Sequence, residues 1–262
     1  ASLPVEGADS VTLLDSTSIM EIDHVPSRLA IVGGGPIGLE FGQMFRRFGS
    51  EVTIIDRSPR IASQEDEAIS AALMEIFQED GIEILTGASV EEVNSPADGG
   101  IDITVGENGQ SHTVSADVVL AAIGRTPNSD RLHLDAAGIA TDDAGYITVN
   151  DRLETSQPGI YAIGDINGGP AFTHVSYDDF RILAPNLLED AGKSRAGRPV
   201  AYTMFTDPQL GRIGLTEQQA RDRGKEIHVF EMPMSSVARA IETDETRGLM
   251  RAVVDRESER IL

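Results

Sequence analysis

The chain has 262 residues, with 43 Asp and Glu against 21 Lys and Arg, a formal net charge of −22. Such a surface repels nucleic-acid backbones and anionic membranes, and no apolar run reaches the ~18 residues that a membrane-spanning helix needs. There is no cysteine, which excludes disulfides, thiolate nucleophiles and cysteine metal sites within these residues. Only Lys193 and Lys225 are lysines. An acid-rich, lysine-poor surface resembles that of salt-adapted (halophilic) proteins, where salt screens the self-repulsion; ordinary bacterial acidity is the alternative. His24, His112, His133, His174 and His228 are scattered without ligand spacing, so no metal site is expected. No signal-peptide pattern opens the sequence, and a cytoplasmic protein is expected.

Residues 1–27 have no clear period and read as loop and short strand. Residues 29–32 form a buried strand. Residues 36–48 read as a helix with Ile37, Phe41, Met44, Phe45 and Phe48 on one stripe, and 51–56 as the next strand. "DEAISAALMEIFQEDG" is a second amphipathic helix stopped by Gly81, and "IEILTG" a third strand. Alternation then replaces the helical period: "SVEEV", "GIDITVG" and "SHTVSADVVLAAIG" are short strands with Gly and Asn turns between them. A parallel sheet carrying an antiparallel excursion fits this order, an α/β arrangement. Turn-rich ground follows, then a helix at roughly 176–191 and a linker-like "AGKSRAGRP". From about 200 the pattern is strand, the helix "TEQQARDRG" with Thr216 and Gln219 as a capping box, and the strands "EIHVFEM" and "GLMRAVVD". "DRESERIL" reads as a hairpin.

Gly33, Gly35 and Gly38 make G-x-G-x-x-G, after a strand and at the start of a helix that opens with Pro36 and Ile37. The first glycine allows the tight turn, the second lets backbone approach a pyrophosphate, and the third lets helix and strand pack closely. Asp56 ends the second strand about 20 residues on, as the dinucleotide fingerprint requires. It is placed to bond a ribose 2′-hydroxyl, and its charge repels a 2′-phosphate, which favours NAD. Arg57 and Arg60 follow, and either can instead pair a 2′-phosphate or be a solvated surface arginine.

"TSQPGIYAIGD" (155–165), "AIGRTPN" (122–128) and "FTDPQLGRIGLTEQQA" (205–220), in that setting, resemble the class I pyridine nucleotide-disulfide oxidoreductases: dihydrolipoamide dehydrogenase, glutathione reductase and mercuric reductase. "SSVARAIETDETRGLMRAVVD" resembles the mercuric-reductase-like members. The likeness runs over essentially the whole chain. It implies FAD and NAD(P) as cofactors, a small-molecule substrate, a homodimer in the full-length enzyme and a role in cell redox homeostasis. It implies that Asp165 binds the ribityl and pyrophosphate region of the flavin, with Gly164 allowing close approach. Ala171, Phe172 and Thr173, within 171–175, match backbone lying under the flavin ring. Glu40 matches a glutamate near the nicotinamide carboxamide, and Gly124 a glycine lining the NAD(P) site.

Three family features are missing from these residues: an N-terminal G-x-G-x-x-G for FAD, the cysteine pair in the helix after it, and a C-terminal His paired with Glu. No catalytic residue is therefore assigned. Pro36 stands where many relatives carry a tyrosine that covers the flavin. The expectation is a fragment of a longer flavoenzyme. Its segments are 1–15 (residual FAD-domain), 16–128 (Rossmann-like NAD(P)-binding domain), 129–197 (second part of the FAD-binding domain) and 198–262 (truncated α/β dimerisation domain). Taken alone it is expected to be inactive. A transhydrogenase or oxidase without a redox disulfide, and a non-catalytic nucleotide-binding module, are the alternatives.

Overall fold

The structure, a computed structural model, describes residues 3–97 and 99–262. The first two residues of the expected 1–15 segment and Asp98 of the 16–128 segment lie outside the described residues. The chain divides into two compact units. One comprises 1–124, 203–211 and 215–262, the other 125–202 and 212–214.

The first unit is built on a five-stranded parallel sheet. Its strands are β1 (Leu13–Leu14), β2 (Arg28–Val32), β3 (Glu51–Asp56), β4 (Glu83–Thr86) and β8 (Val118–Ala121), in the order β1-β8-β2-β3-β4. Leu29, Ala30, Ile31 and Val32 are all buried, as a central strand covered on both faces requires. Helix α1 (Pro36–Phe48) has proline at its first position and ends at Gly49, in the left-handed conformation with φ 105°, the usual glycine stop. Helix α2 (Glu67–Glu79) ends just before Gly81, φ 78°.

The buried face of α1 matches the stripe expected from sequence only in part: Phe45 is buried and Phe41 and Met44 pack against the core. Gly38, Leu39, Gly42, Gln43 and Phe45 are buried, while Phe48 is exposed against the edge of the Phe45 ring. The cause is steric. A Cβ on Gly42 would lie 3.0 Å from Ile54 Cδ1 and 3.3 Å from Ile31 Cδ1, so the glycine face is the one that sits down on β2 and β3.

Between β4 and β8 runs an antiparallel sheet of β5 (Ala88–Asn94), β6 (Ile101–Glu107) and β7 (Gln110–Ala116), in the order β5-β6-β7. Asn108 and Gly109, with φ of 52° and 78°, make the two-residue turn between β6 and β7, the conformation Asn-Gly favours in hairpins. Leu3 and Ala8 share a buried cluster with Val93, Ile103 and Val119. Residues from Leu3 onward thus pack within this unit, although the sequence groups them with the flavin side.

The same unit contains α4 (Glu217–Asp222), the antiparallel pair β11 (Ile227–Pro233) and β12 (Leu249–Asp255), and the short helix α5 (Ala238–Glu242). The Thr216 capping box forms: Gln219 N–H donates to Thr216 Oγ1 at 3.1 Å and Thr216 N–H to Gln219 Oε1 at 3.0 Å. Val254 and Ile261 make an antiparallel bridge. Strands β9 (Ala201–Met204) and β10 (Leu210–Ile213) each contribute residues to both units.

The second unit has little regular structure outside helix α3 (Thr173–Glu189). Its core holds Ile139, Ile147 and Ala162. Helix α3 begins three residues before the expected start, with Phe172 at its N-cap and no side-chain cap bond. No Ser, Asp or Asn marks that start, so the sequence carries no capping signal there.

Candidate nucleotide-binding site

The three glycines of the loop have three different surroundings. Gly33 has φ 115°, and a Cβ on it would fall 2.5 Å from the Ala122 carbonyl oxygen. A Cβ on Gly38 would fall 1.9 Å from the Gly33 carbonyl oxygen, so helix and loop meet backbone to backbone. A Cβ on Gly35 would meet nothing within 4 Å. Gly35 is therefore a gap in front of the N-terminus of α1, where backbone N–H groups and the helix dipole favour an anion. These features fit a pyrophosphate: the cradle is open where a ligand would approach and closed where the fold packs. Pro36 and Ile37 form the first turn of α1 beside it. Gly124, φ 123°, also faces open space.

Asp56 is fixed at the end of β3. Its Oδ2 accepts the backbone N–H of Gly34, and its Oδ1 accepts that of Ser58 at 2.6 Å. A carboxylate has further lone pairs, so a ribose hydroxyl can still donate to it. Arg57 is exposed. Arg60 donates from Nη2 to the carbonyls of Ser63 and Glu65, both at 3.2 Å, while its buried Nε has no partner. Glu40 Oε1 accepts the N–H of Phe205 at 2.7 Å, and one turn on, the buried Gln43 bonds the backbone of Asp207. Sequence reasoning singled out Glu40 and missed Gln43; the signal was a long polar residue on the glycine-lined face of α1.

In the second unit, Gly164 has φ 76° and a Cβ there would lie 3.0 Å from Ser176 Oγ. Asp165 is half-exposed. Its Oδ2 pairs with Arg125 at 3.1 Å and its Oδ1 accepts from Ser176 Oγ at 3.3 Å. Arg125, within "AIGRTPN", is a partner the sequence reading did not assign. The turn carrying Asp165 is held from beneath by Asp179. That buried carboxylate accepts from Gly164 N–H at 3.0 Å and Asn167 Nδ2 at 2.9 Å, and pairs with Arg198 at 2.7 Å. Ala171 and Thr173 are exposed at the start of α3. The Phe172 ring stacks on His174, centroids 5.4 Å apart, and on Tyr202 at 5.3 Å. The Asp165 carboxylate, an acceptor, and the N-terminus of α3 fit the polar side of a flavin, but among the described residues no second glycine loop is present for its pyrophosphate.

Among the described residues no group of His, Cys, Asp or Glu is placed to hold a metal ion, and no helix is long and apolar enough to cross a membrane.

Residues 1–179 match the family model described as pyridine nucleotide-disulphide oxidoreductase, and residues 200–262 the dimerisation domain of that family. The chain is 37% identical over 258 residues to a mercuric reductase of Staphylococcus aureus, covering 98% of this chain and 47% of that protein. It is 36% identical over 261 residues to the probable pyridine nucleotide-disulfide oxidoreductase RclA of Escherichia coli, covering 99% of this chain and 58% of that protein. A solved structure of that HOCl-induced flavoprotein disulfide reductase superposes with a TM-score of 0.90 at 35% identity, over 100% of this chain and 60% of the other. The chain spans about half the length of the curated relatives it matches. On these matches the chain belongs to the pyridine nucleotide-disulphide oxidoreductases.

Proposed function

We propose that this chain supplies the nicotinamide-nucleotide site, and part of the flavin site, of an FAD-dependent oxidoreductase. In this reading hydride passes from NAD(P)H through flavin to a disulfide or metal-ion acceptor. The observation that carries it is the glycine loop, closed at Gly33 and Gly38 and open at Gly35, directly before the N-terminus of α1. FAD, when bound, supplies the two-electron chemistry that no side chain here provides. The chain's own residues bind and orient. Gly33, Gly35 and Gly38 with Pro36 and Ile37 hold the pyrophosphate, Asp56 the adenosine ribose, Glu40 the carboxamide and Gly124 the edge of the site. Gly164, Asp165 and 171–173 hold the ribityl and ring side of the flavin.

The name of one set of relatives, mercuric reductase, favours a metal ion as terminal acceptor; that of another, dihydrolipoyl dehydrogenase, favours a disulfide. With no thiol among these 262 residues, a redox disulfide has to come from elsewhere in the protein or from the substrate. We assign 129–197 to the flavin domain and 198–262 to the dimerisation domain. A homodimer is supported by the match of 200–262 to that domain and by Phe230, Met232 and Met250, which are exposed on β11 and β12.

The 262 residues alone are expected to bind NADH, to bind FAD weakly and to catalyse nothing. A missing pyrophosphate cradle removes several charge-assisted hydrogen bonds of ~1.5–3 kcal/mol each. Separate titrations with NADH and FAD, and an NADH-oxidation assay with added FAD, test this. Failure of the folded chain to bind NADH overturns the reading of the loop. Tight stoichiometric FAD, or turnover with a disulfide acceptor, overturns the assignment of only part of the flavin site.

A further inference from the structure

One face of α1 carries a polar stripe of which the proposed function uses only Glu40. Glu40, Gln43 and Arg47 lie at i, i+3 and i+7, one above another on the helix. All three grip residues 205–207. Glu40 Oε1 accepts Phe205 N–H at 2.7 Å. Gln43 Oε1 accepts Asp207 N–H at 2.7 Å, and Gln43 Nε2 donates to the Asp207 carbonyl at 2.8 Å. Arg47 pairs with the Asp207 carboxylate at 2.7 Å.

The three contacts are unequal. Arg47 and Asp207 are both about half-exposed at their side chains, and such pairs contribute little. Gln43 is 3% exposed. Its amide bonds both polar groups of one residue's backbone, as a neighbouring strand would, and Nε2 also donates to Asp80 Oδ2 at 2.7 Å. Asp80 in turn is held by Arg247 at 2.9 Å, and Arg247 also reaches the Asp207 carbonyl at 3.4 Å. Leaving buried polar groups without these partners costs far more than the net worth of the bonds. Gln43 therefore fixes where Asp207 sits, and with it, two residues back, the Phe205 N–H that holds the Glu40 carboxylate.

We infer that Gln43 is a positioning residue for the nicotinamide end of the nucleotide. Through Asp207 and Phe205 it holds Glu40 Oε1, so that Oε2 keeps one orientation toward the carboxamide. The inference rests on the reading of Glu40 given above and adds a residue that never touches the ligand. It separates the two ends of the nucleotide. The glycine loop and Asp56 serve the phosphates and adenosine, and the 40–43–205–207 network serves the nicotinamide alone.

ADP-ribose, which lacks the nicotinamide, makes the test. Affinities of the chain for NADH and ADP-ribose are measured for the wild type, Glu40→Ala and Gln43→Leu. Gln43→Leu is expected to leave ADP-ribose binding within about twofold of wild type. It should weaken NADH roughly tenfold, the worth of about one hydrogen bond to a charged group. Glu40→Ala should do the same. If Glu40→Ala leaves the NADH to ADP-ribose ratio unchanged, the reading of Glu40 is wrong. If Glu40→Ala shifts the ratio and Gln43→Leu does not, or Gln43→Leu weakens both ligands alike, Gln43 is only a structural residue and the inference is overturned. Should Gln43→Leu fail to fold, Gln43→Asn keeps the amide but is one methylene too short for Asp207, and the same ratio decides.

Discussion

The carboxylate of Asp56 is bonded to the backbone N–H of Gly34, in the loop the nucleotide is proposed to occupy. A Cβ on Gly34 would lie 2.9 Å from that same carboxylate oxygen, so glycine at 34 and aspartate at 56 are a matched pair. The acid is thus a fixed negative charge beside the loop, and its second oxygen is steadied by Ser58 N–H.

Nucleotide choice follows from that charge. NADH should bind more tightly than NADPH by about 1–3 kcal/mol, roughly tenfold to a hundredfold, because a hydrogen bond is replaced by charge repulsion. Asp56→Asn keeps an acceptor for Gly34 but removes the charge, and should narrow the gap. Equal wild-type affinities in a fluorescence titration, or a preference for NADPH that survives Arg57→Ala, would count against this role for Asp56.

The glycines should separate binding from folding. Gly35→Ala meets no neighbour within 4 Å, so the melting temperature should hold while NADH affinity falls at least about tenfold, the new methyl standing where backbone meets phosphate. Gly38→Ala places a methyl 1.9 Å from the Gly33 carbonyl oxygen and should destabilise the fold by about 1–3 kcal/mol. Calorimetry and titration on the two variants read both effects; a Gly35→Ala chain with wild-type affinity would remove the ligand from that gap.

Salt adaptation is proposed from the charge of −22. Raising ionic strength from 0.01 M to 1 M shortens the Debye length from ~30 Å to ~3 Å and screens self-repulsion. The melting temperature should rise through a potassium chloride series. A flat or falling series assigns the acidity to ordinary composition.

Acid sensitivity has an identifiable source in Asp255. The Ser258 N–H and Oγ, each at 2.9 Å, and then Lys225 at 3.1 Å hold its carboxyl down at about 2. Asp117 is likewise lowered, mainly by its hydrogen bonds from the Arg28 guanidinium. A depressed folded-state value means that the stabilisation is complete above the ordinary carboxylate pKa of ~3.9. It is lost as pH falls from there through about 2. Asp255→Asn should lower the melting temperature at pH 6 and by much less near pH 2. A gap that stays constant with pH rules the carboxylate out as its source.

How much of this was legible in the sequence depends on the distance over which each signal acts. Strands β2 and β3, helix α1 and the Thr216–Gln219 box are local patterns, and the structure places them as read. The start of α3 was misplaced because Phe172 caps it without a side-chain bond. The stripe of α1 was legible only in part: Phe45, Phe41 and Met44 meet the core, but Phe48 does not, and Gly38 and Gly42, whose smallness sets the face against the sheet, carry no hydrophobic signal. Pairings such as Glu40 with Phe205, Gln43 with Asp207 and Asp165 with Arg125 join residues far apart in the chain, and no periodicity encodes them.

The strand order β1-β8-β2-β3-β4 also sets a timetable. β8 is the wedge between β1 and β2, pairing Val119 with Leu13 on one side and Ala30 on the other. It is complete only at Ala121, after the whole β5–β7 hairpin sheet has been made. On a ribosome adding ~5–20 residues per second, β2 waits for several seconds with one hydrogen-bonding edge bare. The nascent chain is most exposed to mispairing in that interval, and the glycine loop gains the Ala122 wall behind Gly33 only when it closes.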